Sequence, residues 1–123
     1  MRIIAICVIT LTAVSASTCQ NEPSQEILQK IEFDYRAVDD NGLINGEVAL
    51  DYEFCIPKDD KKVQEIRSIV PDVLMPRRAK GRIKCSEEEW LCIVTTNDNT
   101  WKDKLYRLAS LNYVKRIIPT HYE

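Results

Sequence analysis

Histidine is almost absent from this chain of 123 residues, with His121 as the single example, and glycine occurs only three times. One histidine near the end of the chain excludes a histidine-paired zinc set and the HExxH motif of zinc proteases. The glycines form neither a P-loop nor a dinucleotide fingerprint, and no nucleophile elbow is present. Positive charge is not in excess either. Lys plus Arg number 17 against 19 Asp plus Glu, for a net charge of −2, the opposite of the basic footprint of a general nucleic-acid binder. Internal repeats and low-complexity stretches are also missing. What remains, 45% hydrophobic and 29% charged residues, is the balance of an ordinary globular domain rather than a disordered or coiled-coil chain.

Hydrophobic runs are short, and the longest is at the N-terminus. Arg2 supplies a positive start, residues 3–14 an apolar stretch, and Ser15, Ala16 and Ser17 the small residues that a signal peptidase needs. The run falls short of the about 20 apolar residues of a membrane-spanning helix. Residues 1–18 are therefore expected to be an export signal. Two processing routes stay open. A cut after Val14-Ser15-Ala16 releases a freely secreted domain, whereas Ala16-Ser17-Thr18-Cys19 resembles a loose bacterial lipobox, with Cys19 carrying the lipid. In the second case residues 19–29 are a tether and the protein sits at a membrane surface without crossing it. Either route places the domain, residues 30–123, in the periplasm, on the outer cell surface or outside the cell.

Cysteine usage agrees with export. Once Cys7 leaves with the signal, Cys19, Cys55, Cys85 and Cys92 remain, and an oxidising compartment favours at least one disulfide. Lipidation of Cys19 would leave one bridge and one odd thiol among Cys55, Cys85 and Cys92. No CxxC accompanies them, so no metal and no cofactor is expected.

Alternation of apolar and charged residues predicts a strand over 31–37, followed by turns at Asp39-Asp40-Asn41-Gly42 and Asn45-Gly46 and a second strand over 47–56. Asp59 or Asp60 caps a helix carrying Val63, Ile66 and Val70, which Pro71 ends. Residues 81–85 and 90–96 read as a hairpin across Ser86-Glu87-Glu88-Glu89. Thr100 and Asp103 have capping-box spacing before a helix with Trp101, Leu105, Leu108 and Ala109 on one stripe. Residues 113–118 read as a last strand. The expected fold is α+β, an antiparallel sheet with two helices on one face. Its order is ferredoxin-like, β-α-β-β-α-β from residue 47, preceded by an extra N-terminal strand. Two disulfide pairs compete, Cys85–Cys92 across the hairpin and Cys55–Cys92 between neighbouring strands, and a one-residue register decides between them.

The densest positive charge is Arg77, Arg78, Lys80, Arg82 and Lys84. In an exported protein this segment is the expected binding surface for an acidic protein or an anionic envelope component, with Glu87 and Glu89 offsetting part of its charge. Asp51 and Glu53 share one face of a strand beside Cys55, the kind of carboxylate pair that acid–base chemistry uses. No histidine, metal ligand or nucleophile joins them, and a solvated sheet face explains them as well.

Leu105-Tyr106-Arg107-Leu108-Ala109-Ser110-Leu111-Asn112-Tyr113-Val114-Lys115-Arg116-Ile117 resembles the last helix and strand of subtilisin-type propeptides and the small inhibitors related to them. That resemblance implies a ferredoxin-like domain whose C-terminal tail, here residues 118–123, lies in a protease cleft. The leading expectation is an exported, non-catalytic binding domain with a basic site at 77–84 and an open sheet face. The alternatives are a propeptide-like peptidase inhibitor, and a small hydrolase or thiol enzyme using Asp51, Glu53 or an odd cysteine.

Overall fold

Tyr52, Phe54 and Ile56 alternate with Asp51, Glu53 and Cys55, and this period-two pattern becomes the central strand of the structure, β3 (Asp51–Pro57). A computed structural model describes residues 22–120. The export segment, Cys19, His121 and the two residues after it lie outside the described residues. Around β3 the chain places α1 (Gln25–Leu28), β1 (Leu43–Ile44), β2 (Val48–Ala49), α2 (Asp60–Ile69), β4 (Glu89–Thr95), α3 (Trp101–Ala109) and β5 (Ile118–Pro119). One antiparallel sheet has the order β4-β3-β5, and β1 pairs with β2 in a separate small hairpin. Helices and antiparallel sheets together make the fold α+β, as expected. Among the described residues no helix is long and apolar enough to cross a membrane.

The helices cover one face of the sheet. Val63, Ile66 and Ile69 of α2 and Trp101, Leu105, Leu108 and Ala109 of α3 share one buried cluster with Tyr52, Phe54, Ile56, Cys92 and Val94. Burying each of the larger aliphatic and aromatic side chains contributes about 1.5–3 kcal/mol, so this face dominates the stability. Trp101 is buried without stranding its indole, which donates to the Asp39 carbonyl at 2.8 Å. Lys30 closes the far end of α3 by donating to the carbonyls of Ala109 and Leu111, at 2.9 and 3.0 Å. Burial, with the nearby Lys115 charge second, lowers the pKa of its ammonium.

Four expected strands form differently. The segment 31–37 is not an extra strand. Ile31 makes a single parallel bridge to Ile117, and Tyr35–Ala37 closes into a 3₁₀ turn. Its aromatics find other partners: Phe33 stacks on Tyr52 and Tyr35 meets Tyr106 edge-on. The strand expected over 47–56 breaks at Leu50, whose N–H donates to the Thr96 hydroxyl oxygen at 2.9 Å instead of to a strand carbonyl, while Asn45 (φ 56°) and Gly46 (φ 70°) turn β2 back onto β1. Residues 81–85 form turns, for reasons that belong to the site below. The last strand, expected over 113–118, is instead Ile118–Pro119, and Ile117 before it bonds to the N-terminal segment, donating to the Lys30 carbonyl and accepting from Glu32 N–H. The chain between α2 and β4 therefore supplies no strand, and the β-α-β-β-α-β series is incomplete.

The caps show a further difference. Asp59 caps α2 by accepting from Lys61 N–H at 2.8 Å. The expected box between Thr100 and Asp103 does not form, and Thr100 makes no side-chain cap bond. Asp98 takes the role instead, accepting from both the N–H and the hydroxyl of Thr100 at 2.7 Å and from Lys104 at 2.7 Å. The bond from Lys104, then that from the Thr100 hydroxyl, hold its carboxyl below the ordinary value of 3.8. A depressed carboxyl stabilises the fold above its ordinary value and loses that contribution as pH falls through the folded one. Asp98→Ala is expected to cost about 1 kcal/mol at neutral pH. Urea unfolding at pH 7 and about pH 2 should show the difference from wild type shrinking in acid; a pH-independent difference would refute the electrostatic role.

Candidate functional site

The second face of β3 carries Asp51, Glu53 and Cys55, and it is not the open, solvated face expected of a one-sided sheet. Residues 80–85 fold back across it. Two attachments hold them there. The first is covalent: Cys55 and Cys85 form a disulfide with their Cα atoms 5.6 Å apart. Neither Cys85–Cys92 nor Cys55–Cys92 forms. In the β3–β4 register Cys55 lies opposite Leu91 while Cys92 lies opposite Phe54, so Cys92 shares the core face and Cys55 the opposite one. The second attachment is Glu53, only 1% exposed. One carboxylate oxygen accepts from Ile83 N–H at 2.9 Å, and the other from the Thr120 hydroxyl at 2.8 Å.

Local backbone conformation explains why this stretch turns instead of pairing. Gly81 has φ +70° and lies against the Glu53 carboxylate and the Leu91 side chain, where a Cβ would collide with both. Lys84 adopts φ +63°, a conformation that non-glycine residues seldom occupy. Cys85 N–H returns to the Lys80 carbonyl at 2.9 Å. The N–H that a strand would have presented to a neighbour is used internally, and Ile83 donates to a side chain.

The basic residues ride on the outside of this pinned segment. Arg77, Arg78, Lys80, Arg82 and Lys84 are all exposed. The Arg77 guanidinium lies over the Trp90 ring, 4.2 Å from its centroid. Lys80 is paired with Glu87, and that bond holds the Glu87 carboxyl below its ordinary value, so the expected partial offset of charge is present. Among the described residues, no carboxylate lies within ion-pair distance of Arg78, Arg82 or Lys84.

Two cations absent from the sequence-based site join the same region. A recess of about 150 Å³ beside the disulfide is lined by Cys55, Ile83, Lys84, Glu89, Lys115 and Arg116. Lys115 and Arg116 arrive from the segment after α3, where the sequence pattern predicts a strand and the structure has none before Ile118. Their adjacency in sequence was a signal, but nothing local linked them to Lys84. A wider groove of about 850 Å³ runs between α1, α2 and α3, with Ile27, Ile69, Tyr106 and Leu111 in its walls. Glu65, Asp103, Lys102 and Arg107 also line it, a mixed-sign border that selects no charge.

The groups that could do chemistry are constrained. Glu53 has both oxygens bonded inside the protein and no surface from which a substrate could reach it. The Cys92 thiol is pushed up to about 12 by burial, so it carries no appreciable thiolate at neutral pH. The ligand atoms of Cys55, Cys85 and Glu89 lie within 4.8 Å of one another. Both sulfurs, however, are spent in the disulfide and are not thiolate donors. Compared with family models, with curated proteins and with solved structures, the chain matches none of them, and the site is read from its own residues.

Proposed function

We propose that this protein is an exported, disulfide-stabilised binding domain without catalytic activity, which takes an acidic partner on the loop 77–84. The observation that carries the reading is the loop itself. Its cations are exposed, four of the five have no ion-pair partner among the described residues, and the backbone beneath them is fixed by a disulfide and a buried carboxylate. Preorganised charge of this kind recognises anions at a lower cost in ordering than a mobile tail would. The disulfide also supports an oxidising compartment, hence the export signal at 1–18. A lipid on Cys19 would hold the domain, and its basic loop, at an envelope surface. We read the order β4-β3-β5 with two helices on one face as a ferredoxin-like arrangement in which the loop replaces the second strand.

The inhibitor alternative has less support. β5 pairs with β3, and Thr120 is tied by its N–H to the Asp51 carbonyl at 2.8 Å and by its hydroxyl to Glu53, so residues 118–120 are occupied within their own sheet.

Synthetic poly-glutamate tests the charge reading. Wild-type protein is expected to bind it and to be weakened by added salt. Changing Arg77, Arg78, Lys80, Arg82 and Lys84 together to Gln should weaken binding at least about tenfold, ~1.4 kcal/mol, as several exposed pairs are lost. Unchanged binding in that variant, with an unchanged thermal transition, would refute the loop as the site.

A further inference from the structure

We propose that the recess beside the Cys55–Cys85 disulfide is a subsite for a tetrahedral oxyanion, a phosphate or sulfate group, read by Lys84, Lys115 and Arg116. The inference rests on the basic-loop reading and gives that surface a specific ligand chemistry. Three cations converge here from two parts of the chain that are far apart in sequence, around a recess of about 150 Å³. Lys84 is held in a left-handed conformation, φ +63°, by the same turn that the disulfide and Glu53 pin. Backbone strain maintained by surrounding structure is a recurrent feature of ligand-binding positions. Arg116 is also fixed. Its Nε and Nη2 donate to the two oxygens of Glu32, at 2.7 and 2.9 Å, which leaves the Nη1 hydrogens for a ligand. Lys115 gives one donor to the Asn112 carbonyl at 3.1 Å and keeps two.

The one carboxylate lining the recess, Glu89, accepts from Ser86 N–H at 2.8 Å and is a charge of the opposite sign, so three cations face one anion there. The remaining donors come from separate directions. A planar carboxylate presents two oxygens, whereas a phosphate or sulfate presents four and can accept from all three cations at once. The disulfide and Ile83 form an apolar wall that lowers the local dielectric and strengthens those bonds. The group can be a free anion or the terminal phosphate of a lipid headgroup.

Amide NMR of the full mature protein, titrated with inorganic phosphate and separately with phosphatidic-acid vesicles, tests this. Saturable shifts at Lys84, Ser86 and Lys115 are expected, with affinity at least about tenfold weaker in the Lys84→Gln/Lys115→Gln double variant and unchanged in Lys61→Gln, an exposed cation on α2 outside the loop and the recess. A Lys84- and Lys115-dependent response to free phosphate alone identifies a soluble anion; the same dependence with vesicles alone identifies a headgroup. No saturable response to either probe, or one indifferent to the double variant, overturns the subsite. The outcomes separate from those of the loop reading. Poly-glutamate binding that survives in the double variant, without any phosphate response, leaves the loop standing and removes the recess. Phosphate binding at the recess without poly-glutamate binding does the reverse.

Discussion

Replacing Cys55 and Cys85 together by Ser is expected to lower the unfolding free energy by about 3.5 kcal/mol, the chain-entropy value for a closed loop of this size. The bridge spans a sequence separation of 30, so the reduced unfolded chain gains considerable freedom. For a domain of this length the melting temperature should fall by roughly 15 °C or more. Calorimetry of the variant, alongside wild type reduced and alkylated, measures it. The loop 77–84 should loosen in both, with faster amide exchange at Ile83 and Cys85 and weaker poly-glutamate binding. A loss below about 1 kcal/mol would mean that the Glu53 contacts alone hold the loop.

Glu53 carries the second large effect. Glu53→Ala removes both acceptors and leaves the Ile83 N–H and the Thr120 hydroxyl without partners beneath the loop. Bonds to a charged group contribute about 1.5–3 kcal/mol each, and stranded buried donors add a penalty, so a loss of about 3 kcal/mol is expected. Glu53→Gln should behave differently. Its carbonyl oxygen can still accept from Ile83, and its amide can donate to Thr120, whose hydroxyl rotates to accept. A loss of about 1 kcal/mol is expected there. Urea unfolding of the two variants, with hydrogen exchange at Ile83, measures the difference. Equal losses would show that neither the hydrogen bonds nor the side-chain volume that Gln keeps matters at this position, and would remove the two Glu53 bonds from their role as the loop's second anchor.

Helices were legible because their signals are local. The apolar spacing of Val63 and Ile66, and of Trp101, Leu105 and Leu108, is fixed by a period of 3.6 residues and needs no distant partner. The cap of α2 at Asp59 was legible for the same reason, while that of α3 was not. Thr100 and Asp103 have the spacing of a capping box, but Asp98, two residues before Thr100, satisfies its N–H more directly. Strand limits failed most often. A strand requires a neighbour, and whether residues 31–37 or 81–85 obtain one depends on which edges are already taken. β5 occupies one side of β3 and β4 the other, so 31–37 could not join that strand, and the outer edge of β4, where 81–85 was expected, is met at Ile93 by Leu74 instead.

The basic loop was visible as a run of charge, yet its state was not. Sequence alone determined the α+β composition, the two amphipathic helices, the central alternating strand and the cationic segment, since each is written in contacts between near neighbours. Only the tertiary structure decided that Cys55 pairs with Cys85, that Glu53 is buried as an anchor rather than exposed on a solvated face, and that Lys115 and Arg116 stand beside Lys84. Each depends on the β3–β4 register or on residues about 30 positions apart meeting. A one-residue slip would have set Cys55 opposite Cys92, both on one face, in place of Leu91, and nothing in the local pattern of either strand prevents that slip. The packing of Phe54, Ile56 and Val94 against the two helices does.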